Sequence, residues 1–148
     1  MRILRTVIAF IAAAIATYLA ASTLYTQQTI AKQSAVGAVY TRAQSFETYL
    51  ENLTGLTTYA VVLAAALLIG FIVAFGVKRI LTPLAPVAYP VAGASAVLVA
   101  IVLIENQLGG GAGVIGGARD ALGMGLQALA GALGGGVFAL LRPRRSPS

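Results

Sequence analysis

Few residues in this chain are equipped to do chemistry. Glu47, Glu51, Glu105 and Asp120 are its only acids, and histidine and cysteine are both absent. That excludes thiolate and imidazole catalysis, disulfides, haem ligation through either residue and the usual zinc sites. Paired-carboxylate catalysis has little to draw on. One pattern resembles a ligand site: Gly111, Gly113 and Gly116 spell G-x-G-x-x-G shortly after the apolar run 97–104. A dinucleotide-binding turn must follow its strand directly, open a helix and be answered by an acid about 20 residues on. Here Glu105, Asn106, Gln107 and Leu108 intervene, Asp120 stands four residues after Gly116, and no Gly-Lys-Ser/Thr occurs. With 17 glycines in 148 residues, the match is one of composition. No nucleotide and no other cofactor is expected. Asn52-Leu53-Thr54 is a literal N-x-T, meaningful only in a eukaryotic secretory route, and it is discounted.

The elements that position these residues follow from composition. The chain is 59% hydrophobic and 9% charged, whereas soluble domains run near a quarter charged. Such a chain cannot coat a water-facing surface, and its length suits a single domain, 1–148. A membrane span needs about 20 apolar residues, and the runs 3–25, 59–77, 84–104 and 121–141 qualify. The first has signal-peptide features, with Arg2 and Arg5 ahead of an apolar core and Ala20-Ala21-Ser22 behind it; it is expected to be retained as an anchor.

Basic residues orient the spans, because Lys and Arg stay on the cytoplasmic side. An even number of spans puts both termini together. That side then holds Arg2, Arg5, Lys78, Arg79, Arg142, Arg144 and Arg145 and no acid, while the other holds Lys32, Arg42 and Arg119 against all four acids. The net charge of +6 therefore belongs to a membrane surface, and no nucleic acid partner is expected. Both termini are expected in the cytoplasm, with loops 26–58 and 105–120 outside. The compact, alanine-rich style points to a bacterial inner membrane.

Small residues recur four apart within the spans: Ala12, Ala16 and Ala20; Ala66, Gly70 and Ala74; Ala92, Ala96 and Ala100; Gly131 and Gly135. In lipid such faces let helices approach closely, which serves a four-helix bundle or an oligomer interface. Pro90 with Gly93 is expected to kink the third span. No charge lies deep in a span, and Gln127 is expected to hydrogen-bond across helices. Tyr25 and Tyr59 fall at outer span ends, where such rings favour the headgroup level.

Between the first two spans, Val36, Val39, Ala43, Phe46, Leu50 and Leu53 are spaced 3, 4, 3, 4 and 3. This heptad seam predicts an outer amphipathic helix over 35–53, despite Gly37, and a candidate interaction face. The glycine-rich stretch 109–117 predicts a pliable outer connection or a re-entrant dip. Glu105, Arg119 and Asp120 bracket it and form the candidate polar site.

The expectation is therefore an all-α integral membrane protein. It has four transmembrane helices, both termini cytoplasmic, and an extramembrane amphipathic helix between the first two spans. The partners expected are membrane lipid and other membrane subunits, or further copies in a homo-oligomer. A small non-catalytic subunit fits these features best. A small oligomeric channel or transporter using the kinked third and glycine-rich fourth spans is the alternative. A lipid-modifying enzyme ranks last for want of a catalytic constellation.

Overall fold

The computed structural model describes residues 1–55, 57–80, 87–107 and 120–142. Among these residues the chain is all helical, in the order α1 (Arg2–Ala35), α2 (Arg42–Gly55), α3 (Thr57–Ile80), α4 (Ala88–Gln107) and α5 (Ala121–Leu141). Four of them, all except α2, are long and apolar enough to cross a membrane. The chain is a helical membrane protein.

The four long helices form a ring in which α5 lies between α1 and α4, and α3 packs on α4 and more loosely on α1. Glycine sets the tightest contacts. Gly93 of α4 meets Gly131 of α5 backbone to backbone, so that a Cβ on either would run into the other's carbonyl oxygen. One turn further along α5, Gly135 meets the Tyr89 carbonyl in the same way, and Gly134 faces the Thr17 hydroxyl of α1. Gly70 of α3 lies against Ala92 and Ala96 of α4. Tails of lipid are as apolar as leucine, so this close approach is what gives helices in a bilayer a reason to associate. Gly70 with Ala92 and Ala96, and Gly131 and Gly135 with α4, thus pack within the bundle. On α1 the buried stripe is Ala9, Ala13, Thr17 and Ala21, one position over from the expected Ala12, Ala16 and Ala20, which are half-buried.

Aromatic rings fill one end of the bundle. Phe71 stacks on Phe138 with centroids 4.5 Å apart, and Phe10 and Tyr89 meet Phe71 edge-on at 6.3 and 5.8 Å. Offset and edge-to-face arrangements place ring edges against ring faces, the favourable geometry for aromatic quadrupoles. Arg142 and Lys78 sit over the Tyr89 ring at 4.8 and 5.8 Å.

Several expectations are corrected in detail. The third span begins at Ala88, and residues 84–86 lie outside the described residues. Pro90 therefore stands in the first turn of α4, where its missing N–H would have had no helical partner, so it breaks no helical hydrogen bond. The expected helix 35–53 is not continuous. α1 runs on to Ala35 and ends there, because Gly37 takes φ +94° and the Gly37 and Ala38 amides bond back to Ser34 and Gln33. This left-handed closure satisfies carbonyls at the end of α1. α2 then starts afresh at Arg42.

Candidate functional site

The start of α2 is set by Thr41 and Gln44. The Gln44 amide donates to Thr41 Oγ1 at 3.2 Å, and the Thr41 amide donates to Gln44 Oε1 at 2.9 Å. That reciprocal pair is a capping box, and its T-x-x-Q signature is present in the sequence. The cap places Val36 and Val39 in the connection, not in the helix, so the expected seam is cut to Ala43, Phe46, Leu50 and Leu53.

α2 folds back along the distal half of α1. The Tyr18 hydroxyl donates to the Leu53 carbonyl at 2.5 Å, and Asn52 Nδ2 donates to Thr26 Oγ1 at 3.0 Å. The half-buried side of α2 carries Ser45, Thr48, Tyr49 and Asn52 together with Leu53. The apolar side points away. Phe46 is 65% and Leu50 49% exposed, with Ala43 exposed beside them, and Val36 and Val39 are 85% and 90% exposed in the connection. A helix normally buries its apolar stripe and exposes its polar one. α2 does the reverse.

Of the candidate polar site, Asp120 and Glu105 lie among the described residues. Asp120 is the N-cap of α5: its Oδ1 accepts from the Gly123 amide at 2.8 Å, and Oδ2 pairs with Lys32 Nζ of α1 at 3.2 Å. The Gly123 amide first, and then Lys32, hold the Asp120 carboxyl below its usual value. Both help because each favours the charged form. Glu105 lies in the last turn of α4, with Oε1 buried and lacking a hydrogen-bond partner among the described residues. Arg119 lies outside the described residues, as do Gly111, Gly113, Gly116 and the whole connection 109–117. Among the described residues no three acids gather as a metal site would require.

Within the bundle, Gln127 joins α5 to two other helices. Its Nε2 donates to the Ala21 carbonyl of α1 at 3.1 Å, and its Oε1 accepts from the Tyr59 hydroxyl of α3 at 3.0 Å. Tyr59 is therefore buried in the core. Thr17 and Thr26 are also buried, and each hydroxyl bonds the carbonyl four residues back. These buried polar groups are satisfied, the threonines within α1 itself and Gln127 across three helices.

Two apolar depressions open on the outside of the bundle. A furrow of about 1080 Å³ runs between α3 and α4 over a floor of small residues that includes Ala66, Gly70, Ala92 and Ala96. A smaller cleft of about 370 Å³ lies between α1 and α3 and reaches Tyr89, Phe138 and Arg142. Comparison of the chain with protein families, with characterised proteins and with solved structures finds no match in any of the three.

Proposed function

We propose that the chain is a small, non-catalytic integral membrane subunit that packs against partner membrane proteins or against further copies of itself. The observation that carries this reading is the reversed α2: hydrogen-bonded to α1 through its polar side, it holds Phe46 and Leu50 outward. Contiguous exposed apolar residues beyond the bilayer mark a surface that another protein covers. The floor of small residues between α3 and α4 supports the same reading, because it offers a neighbouring helix close backbone approach.

The sidedness belongs to the proposal. Seven basic residues and no acid flank the spans at the end that carries both termini, so that end is cytoplasmic and α2 is outside. In a bacterium this is the inner membrane, with α2 in the periplasm. The channel alternative draws on the third span and the glycine-rich fourth; Pro90, in the first turn of α4, breaks no helical hydrogen bond there.

Purification of the tagged chain from its native membrane in mild detergent tests the reading. A defined second chain, or a stable homo-oligomer, is expected to copurify, and Phe46→Ser with Leu50→Ser is expected to release it while the variant stays folded. A monomer unaffected by those substitutions would sink the proposal. Solute flux through liposomes carrying this protein alone would favour the channel.

A further inference from the structure

We propose that α2 pairs with α2 of a second copy of this chain, side by side and in parallel, through Ala43, Phe46 and Leu50, with Arg42 of each meeting Glu47 of the other. This rests on the subunit reading above and names the partner. The outward face of α2 steps from Ala43 to Phe46 to Leu50 by three and then four residues, the seam of a two-stranded coiled coil. The half-buried side of the helix, with Ser45, Thr48 and Asn52, is turned to α1, so the seam stands open. A free helix of 14 residues is marginal in water. Here the Thr41 and Gln44 cap and the bonds from Tyr18 and Asn52 have already ordered α2. Pairing therefore starts from a fixed helix, and two copies held in one membrane meet at a raised local concentration.

Charge beside the seam selects a second copy as the occupant. With Ala43 and Leu50 at position a and Phe46 at position d, Arg42 falls at g and Glu47 at e. In a parallel pair each g residue faces the e residue of the partner's next heptad, and such pairs choose the partner and its direction. Arg42 therefore faces Glu47 of the partner subunit, and two-fold symmetry makes that pair twice. Within one chain the two cannot meet, because residues at this spacing point about 140° apart around a helix. Both are exposed, and neither forms an ion pair among the described residues. Antiparallel pairing sets g against g and e against e, which gives neither charge its opposite. α2 also lies along α1, one of the long apolar helices, so copies inserted alike present α2 in the same direction.

The test uses the full chain in membranes, where the absence of cysteine lets one introduced thiol report on pairing. Ala43→Cys, on the seam, is expected to give a disulfide-linked dimer on mild oxidation, and Glu51→Cys, off the seam, is not. Thermal unfolding identifies a variant that has lost its fold, and Leu50→Cys then replaces Ala43→Cys. In the Ala43→Cys background, Arg42→Glu and Glu47→Arg are each expected to weaken the dimer on the order of tenfold, since two attractive pairs become two repulsive ones. The two reversals combined are expected to restore it, a recovery that a merely local role of either residue would not produce. Absence of the seam cross-link, or a double reversal as weak as the single ones, would overturn the proposal. A different chain that copurifies, is released by Phe46→Ser with Leu50→Ser and ignores both reversals would overturn self-pairing while leaving the subunit reading intact. A monomer with no copurifying chain would overturn both.

Discussion

At the scale of single residues, the polar groups divide by whether they hold helices together or finish them. Gln127 holds, reaching Ala21 with one atom and Tyr59 with the other. Hydrogen bonds between helices in a bilayer are worth about 1 kcal/mol, because the separated helices also find partners. Gln127→Leu and Tyr59→Phe are each expected to destabilise by that amount, and the double variant by little more than either. A double-mutant cycle on detergent unfolding measures this coupling. The placement of Gln127 was readable from the sequence, since it is the costliest polar group in any span; its partners were not, because neither alanine nor a terminal tyrosine announces one. Asp120 finishes α5. Its folded pKa lies below the ordinary 3.8, so its contribution is complete above that value and fades as pH falls through the lower, folded one. Acidification from pH 5 to pH 3 is therefore expected to lower the unfolding midpoint more in the wild-type chain than in Asp120→Asn. Asparagine also caps a helix, so the difference isolates the charge acting on Lys32 and the Gly123 amide.

At the scale of elements, long apolar runs were legible and the turn between α1 and α2 was not. Runs near 20 residues located four helices, and α5 carries the expected bounds 121–141 unchanged. The region 36–53 was misread at its start because periodicity weighs side chains alone. Gly37 closes α1 through its backbone angle, and Thr41 with Gln44 restarts the chain through hydrogen bonds. Periodicity also tells which residues share a face without telling where the face points. On α2 the seam Ala43, Phe46 and Leu50 faces outward, the opposite of ordinary packing. The helix contacts give a prediction with two signs. Gly93→Ala drives a methyl into the Gly131 carbonyl and is expected to destabilise by at least about 1–3 kcal/mol. Gly125→Ala and Gly136→Ala meet nothing within 4 Å and are expected to stabilise by about 0.5–1 kcal/mol. Unfolding of the three variants in one detergent checks both.

At the scale of the molecule, charge and helix count together imply a defined threading. The chain lacks cysteine, so single introduced cysteines report cleanly on sidedness. In intact cells, Ala38→Cys is expected to react with a membrane-impermeant maleimide, and Ser148→Cys only after the membrane is opened. The reverse pattern would invert the proposed orientation. One feature then bears on how the ends of the protein relate. α1 is a single unbroken helix of 34 residues, about 50 Å long, and its tightest contact, Thr17 against Gly134, lies near its midpoint. The rod is also pinned on both sides of that point, by Phe10 against Phe71 towards one end and by Lys32 with Asp120 towards the other. Tilting it by about 5° would move each tip by about 2 Å in opposite directions, at half the helix length, and so would strain both pins at once. One tip carries α2 and its outward Phe46; the other carries Val7 and Phe10, one wall of the cleft. A single rigid strut therefore ties the α2 end of the protein to the cleft end.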